Sequence, residues 1–274
     1  MSASVWTHES DLRTIADKTL RLAAQLWFLV AVTGQFIFVA YVIAFYGGTA
    51  VRGNLEAWNE VLPRGYEAGA TLNNVAVAAH LSLAVIVTVG GALQLMPQVR
   101  RLSPTFHRWN GRLFIVSAFV TSIAGLIMVW THTSPARLVQ HLGISLDALL
   151  IMSFAALALR SALARDFRTH RRWALRLFIV VNAVWFFRVM LMLWVFINRG
   201  AVGFDPQTFT GPFLDLLSFA DYLLPLAVLE VYLRTEARGG TIGRLTVAAG
   251  VVVLTVAMGV GIFAATMVMW LPRM

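Results

Sequence analysis

The sequence predicts an all-α integral membrane protein with seven transmembrane helices, and three observations carry that reading. Of 274 residues, 59% are hydrophobic and only 13% are charged, about half the charged fraction of an ordinary soluble domain. Seven stretches each offer the roughly 20 apolar residues that a bilayer core of about 30 Å requires. Glycine or proline punctuates the intervals between them. The formal charge of +9 does not point to nucleic acid, because the cations are scattered between apolar blocks and form no continuous basic surface.

The first 20 residues include Glu9, Asp11 and Asp17 and no central apolar run, so no cleaved signal peptide is expected. The first span, at about 22–46, then acts as an uncleaved anchor and closes at Gly47 and Gly48. Residues 47–72, with Glu56, Trp58, Glu60, Tyr66 and Glu67, read either as a short amphipathic helix on the membrane surface or as an ordered cap over the helix ends. The second span, about 73–96, stops at Pro97; the third covers about 109–130. Pro135 precedes the fourth, at 138–163, and the fifth runs from 171 to 196. Pro206 and Pro212 introduce the sixth, 212–234, and Gly239 and Gly240 the seventh, 243–270. All seven belong to one membrane domain, with residues 1–20 as a cytoplasmic N-terminal segment.

Arginine sets the expected orientation. Lys18 is the only lysine, and 16 of the 22 cations lie at the N-terminus and in the second, fourth and sixth connections, against five on the other side. The positive-inside rule therefore places the N-terminus in the cytoplasm and the C-terminus outside. Arg188 belongs to neither side and falls within the fifth span.

Two stretches resemble each other. One is Phe106-His107-Arg108-Trp109-Asn110-Gly111-Arg112-Leu113-Phe114-Ile115-Val116. The other is Thr169-His170-Arg171-Arg172-Trp173-Ala174-Leu175-Arg176-Leu177-Phe178-Ile179-Val180. Each opens a span, and each preceding span has its own histidine, His80 or His141. Spans two and three thus repeat as four and five, running the same way, which predicts a four-helix bundle with a pseudo-twofold axis along the membrane normal. Residues related by that axis share a depth, so His80 is expected opposite His141 and His107 opposite His170.

Cysteine is absent, which excludes disulfides, thiolate metal sites, iron–sulfur clusters and covalent haem. Paired imidazoles on facing helices suit non-covalent b-type haem, one or two per chain. Arg108, Arg112, Arg171, Arg172 and Arg176 are available for its propionates, and Arg188 lies at about the depth of His80. Intramembrane His80, His141, Arg188, Asp147 and Asp221 also admit a second account, an interhelical polar network with Arg188 paired to Asp147 or Asp221. His107 and His170 equally suit lipid phosphates at the headgroups, while His8 and His132 read as solvated. Trp6, Trp58, Trp109, Trp130, Trp173, Trp194 and Trp270 read as interface anchors. Trp185, Phe186 and Phe187 lie deeper, as cofactor lining or as core. Gly90, Gly91 and Gly125 permit close approach of a porphyrin or of another helix, and Gly259 and Gly261 read as packing positions.

The run Gly91-Ala92-Leu93-Gln94-Leu95-Met96-Pro97, then His107-Arg108-Trp109 with Gly111-Arg112, then His170-Arg171-Arg172-Trp173, resembles the bacterial membrane family of domain of unknown function 2306 (DUF2306), over about residues 76–195. That family name carries no activity. The resemblance implies a multi-pass protein of the bacterial inner (cytoplasmic) membrane. The four-histidine arrangement is also similar to the cytochrome b561 group, which holds two haems between four helices and passes electrons across the bilayer. That likeness implies the same pairs, His80 with His141 and His107 with His170.

Two functions follow as expectations. One is a b-type cytochrome taking electrons from quinone-pool quinol or a redox partner protein. The other is an accessory subunit or anion-binding carrier with a polar cavity around His80, His141, Arg188 and Asp147. Zinc or copper on the histidines is a third reading, weakened by the lack of carboxylates at ligand spacing. No dinucleotide, Walker or His-Glu-x-x-His motif is present, so any nucleotide or flavin would belong to a partner.

Overall fold

The computed structural model describes residues 2–62, 64–131 and 135–274, with side chains from Asp11 onward. Trp6, His8 and His132 therefore lie outside the described side chains. The described residues are helical, and their one β feature is an isolated antiparallel bridge between Asp205 and Thr210. The main helices are α1 (Ser2–Val42), α2 (Thr71–Leu95), α3 (Pro104–Trp130), α4 (Leu138–Leu163), α5 (Phe167–Val180), α6 (Ala183–Asn198), α7 (Pro212–Arg238) and α8 (Thr241–Ala265). Six are long and apolar enough to cross a membrane, and α5 with α6 makes a seventh span broken by a 51° bend. The chain is an all-α integral membrane protein.

Sequence reading expected a continuous fifth helix, since no proline or glycine interrupts 171–196. Asn182 causes the break instead. Its backbone leaves the helix at φ −100°, ψ 13°, and its Nδ2 donates to the carbonyl of Phe178 at 2.7 Å. Its own carbonyl then accepts the N–H groups of Trp185 and Phe186, both at 3.0 Å, which restarts the helix. Asparagine competes for backbone groups in this way, and the exchange leaves few orphan groups in the apolar interior.

The bend divides the span between two packing units. α5 joins α2, α3, α4 and α7 in a core of Val87, Phe114, Ile151, Leu177, Val180 and Tyr222. α6 turns away from α2, α3 and α4, keeps packing on α7 through Leu191, Leu214 and Leu217, and joins α1 and α8 around Phe38, Tyr41, Trp185, Val189 and Ile262. Spans two to five therefore do not close into a four-helix bundle along their length: α2 and α5 barely meet and α6 diverges, whereas the repeat-related α3 runs unbroken from Pro104 to Trp130.

Small residues set the closest approaches. A Cβ on Gly261 of α8 would stand 2.5 Å from the carbonyl oxygen of Val189 on α6, whereas one on Gly259 would meet nothing within 4 Å. Gly143 of α4 likewise lies against Ser218 of α7. Only Gly261 of the α8 pair is therefore a packing position. Gly90 and Gly125 are covered by Asn110 and His80 respectively, so both serve the α2–α3 approach.

The connection after α1 is a cap. Its short helical turns Gly48–Val51 and Leu55–Glu60 fold back so that Trp58 is buried and donates from Nε1 to Thr49 Oγ1 at 2.9 Å and to the Tyr46 carbonyl at 3.2 Å. Trp58 and Trp270 are buried in the core, which corrects their assignment as interface anchors; Trp109 and Trp130 stay exposed to lipid.

Among the described residues, three ion pairs tie the arginine-rich ends together: Asp17–Arg244 between α1 and α8 (2.7 Å), and Arg171–Glu236 and Arg176–Glu230 between α5 and α7. Both α5 pairs are bidentate. Arg176 and Glu230 are 19% and 31% exposed, against 53% and 37% for Arg171 and Glu236.

Two differential outcomes follow in detergent unfolding experiments. Gly261→Ala lowers stability by about 1–3 kcal/mol through overpacking, while Gly259→Ala is neutral or stabilises by up to about 1 kcal/mol. Glu230→Gln costs about 1.5–3 kcal/mol and Glu236→Gln about 0–1 kcal/mol; equal losses would contradict the difference in exposure.

Candidate functional site

The internal repeat is visible in the local geometry of the two helix starts. Ser103 caps α3 and Asp166 caps α5. His107 and His170 are each the fourth residue of their helix, and their N–H groups donate to the cap carbonyls at 3.0 and 2.9 Å. One turn on, the guanidinium of Arg112 lies 4.8 Å from the Trp109 ring and that of Arg176 lies 4.7 Å from the Trp173 ring, stacking contacts of the cation–π kind. Asp166 fixes its helix start through Oδ1, which accepts the Thr169 N–H at 3.1 Å. Hydrogen bonds from the Thr169 side chain and N–H hold this exposed carboxyl below the ordinary carboxylate range.

The preceding helices clamp both histidines. Gln94, near the end of α2, donates from Nε2 to the His107 carbonyl at 2.8 Å. Near the end of α4, the Ala158 carbonyl lies 2.9 Å from His170 Nδ1. A carbonyl can only accept, so Nδ1 carries the proton and Nε2 of His170 is left as the basic nitrogen. His107 Nδ1 is buried with no hydrogen-bond partner. The two imidazoles are close enough for electrostatic coupling.

Both line one cavity of about 2130 Å³ that runs from the arginine-rich face toward mid-membrane. Binding pockets for drug-sized ligands usually span about 300–1,000 Å³, so this one accommodates a far larger molecule. Its deeper wall is apolar, with Phe28, Phe114, Phe178, Phe186, Val189 and Met258 contributed by five helices. Its mouth carries Arg21, Arg100, Arg108, Arg112, Arg165 and Arg171 beside the histidines. The bend in the fifth span leaves this space, because α6 turns toward α8 and α5 only grazes α2.

The five expected anion-binding arginines separate into groups. Arg108 and Arg112 face the cavity, and their side chains meet no carboxylate among the described residues. Arg171 lines the cavity too, but is held by Glu236. Arg176 is held by Glu230, and Arg172 is exposed away from the cavity. Sequence reading missed Gln94, Glu230 and Glu236. The available signal for the glutamates was charge, since carboxylates at the arginine-rich end of an apolar helix call for cationic partners.

The opposite half does not assemble as expected. His80 Nδ1 lies 3.1 Å from the Thr121 carbonyl, with Gly125 beside the ring. His141 packs edge-on to Trp130, ring centroids 6.0 Å apart. Those contact points on α3 are separated by about 7–13 Å of helical rise. His80 is nine residues inside α2, but His141 is only three inside α4. The equal depth expected from symmetry is absent, and the pair implied by the cytochrome b561 likeness does not form.

Arg188 pairs with neither Asp147 nor Asp221. Its Nη1 donates to the Val184 carbonyl at 3.1 Å, its guanidinium lies 5.3 Å from the Phe38 ring, and Tyr41, Tyr46 and His80 are within electrostatic reach. Asp147 instead lies within electrostatic reach of Asp221. The four residues expected around one polar cavity are therefore dispersed: Arg188 lies within electrostatic reach of His80, while His141 packs on Trp130 and Asp147 lies toward Asp221. No group of three or more His, Cys, Asp or Glu among the described residues gathers to hold a metal ion, which removes the geometric basis for a zinc or copper site.

No curated protein and no solved structure matches the chain. Residues 77–207, which contain both histidine-bearing helix starts and the broken span, match the model of DUF2306, a family described as predicted membrane protein.

Proposed function

We propose that the arginine-rimmed cavity binds a large amphiphile with an anionic head, its apolar body in the membrane half and its head at Arg108 and Arg112. The observation that carries this reading is the cavity itself, which joins an apolar depth to a cationic mouth in one 2130 Å³ space. Burial of apolar surface would supply affinity, and bidentate guanidinium contacts would orient a carboxylate or phosphate. We place the chain in a bacterial inner membrane with its N-terminus cytoplasmic, so that the mouth faces the cytoplasm.

The histidines favour a specific form of this reading, a single b-type haem between His107 and His170. The residues fit. Nδ1 of His170 is engaged by a backbone carbonyl, as second-shell contacts to ligating imidazoles commonly are, and Nε2 remains available. His107 Nδ1 is buried without a partner, and Arg108 and Arg112 are free of carboxylates for the propionates. When bound, haem would supply one-electron redox chemistry, with a quinol or a reductant protein as donor. A second haem between His80 and His141 is not part of this proposal. The chain's own contribution would be to bind the ligand, orient its head and keep water from its apolar face.

Visible spectra of the purified chain, expressed with ample haem, test the specific form. A Soret band that shifts on dithionite reduction is expected, lost in His107→Ala and His170→Ala and retained in His80→Ala and His141→Ala. Colourless protein refutes haem. The broader reading then stands or falls on native mass spectrometry, where an anionic lipid or quinone should co-purify with the wild type and be lost several-fold in Arg108→Ala/Arg112→Ala. Orientation is checked separately: a C-terminal alkaline phosphatase fusion should be active and a C-terminal green fluorescent protein fusion dark.

A further inference from the structure

α4 and α7 both start on the arginine-poor face and run the same way, and they cross where Gly143 meets Ser218. A Cβ on Gly143 would lie 2.6 Å from both the carbonyl and the hydroxyl oxygen of Ser218, so the backbones approach as closely as glycine allows. The Tyr222 hydroxyl donates across the crossing to the Gly143 carbonyl at 3.2 Å. One helical turn further inward, helical spacing puts Asp147 four residues past Gly143 and Asp221 three past Ser218, on the facing sides of the two helices. Each lies nine residues inside its helix, from Leu138 and from Pro212 respectively. That is about 13 Å of rise, close to the middle of a 30 Å core.

Asp147 and Asp221 are 9% and 7% exposed, and Oδ1 of each is buried with no hydrogen-bond partner among the described residues. Tyr222 is the other ionisable group that interacts with both; the nearest arginine within the membrane, Arg188, is engaged on α6 against Phe38. Two carboxylates that face each other in apolar surroundings without a cation repel, and one proton between them removes the repulsion. A metal ion is a poorer occupant. Mg²⁺ and Ca²⁺ take about six or more oxygens, while here the Gly143 carbonyl is taken by Tyr222 and the Ser218 hydroxyl donates to the Asp215 carbonyl at 2.8 Å.

We propose that Asp147 and Asp221 form a proton-binding site in the middle of the membrane, one proton shared between the two carboxyls. Loading forms an O–H bond on one Oδ1 and a hydrogen bond to the other; the proton comes from water and returns to it, and no other bond changes. The site is separate from the arginine-rimmed cavity, whose lining includes neither aspartate, and does not depend on what that cavity binds.

Infrared spectroscopy of the full-length chain in lipid nanodiscs tests the site. At neutral pH the wild type should show a protonated-carboxyl C=O band that shifts in D₂O. The band should persist in Asp215→Asn and be lost in Asp147→Asn/Asp221→Asn. Its absence from the wild type, or its survival in the double variant, overturns the proposal. So does its loss on addition of NaCl at fixed pH, which would assign the site to a cation. Should the double variant not fold, Asp147→Asn alone decides: the titration midpoint of the remaining Asp221 band should move by about one pH unit or more, and an unmoved midpoint overturns the shared-proton pair.

Discussion

The interruption of the fifth span at Val181 and Asn182 decides where the interior space lies. In lipid every backbone donor and acceptor needs a protein partner, so a break of this kind persists only where local groups replace the lost helical bonds. Asn182 does so with its side chain toward Phe178 and its carbonyl toward Trp185 and Phe186. The reward is geometric freedom. Both halves of the span pack on α7, but the first stays with α4 while the second crosses to α1 and α8, and the space between α5 and α2 is left as a cavity walled by helices on both sides of the bend.

Charge is arranged around that space with the same economy. Arginines that hold helices together are matched with glutamates in fork-to-fork pairs, as Arg171 with Glu236 and Arg176 with Glu230. Those pairs pin α5 to α7, the Arg171–Glu236 pair at the cavity mouth. Arg108 and Arg112 carry the same chemistry on the repeat-related helix α3, yet no acidic helix end faces α3 among the described residues. The duplication thus supplies two equivalent basic helix starts, one held by glutamates and one that meets no carboxylate among the described residues.

Much of the fold was legible in the sequence, because bilayer thickness imposes a length on apolar runs and the punctuating residues are strong. The histidine repeat was legible as well, and His107 and His170 share a cavity as their equivalence implies. What could not be read was depth and direction within the bundle. His80 and His141 hold matched positions relative to the next histidine, but α2 begins nine residues before one and α4 three residues before the other, so equal spacing did not become equal height. Asn182 was silent because asparagine breaks a helix only when its side chain finds the right carbonyl. Trp58 and Trp270 looked like belt anchors by position, since burial of Trp58 by a folded-back connection and of Trp270 against Phe38 of α1 leaves no periodic trace.

The straightness of α3 beside the bent α5–α6 span has a further meaning for a duplicated chain. Two copies kept identical would place any binding site on their common axis and make it accessible equally by two symmetric routes. Breaking one copy moves the site off the axis and hands part of its wall to α1, α7 and α8, which lie outside the repeat. The cavity wall is then asymmetric, and the two histidines, equal by descent, occupy unequal surroundings in which each can be specialised without disturbing the other.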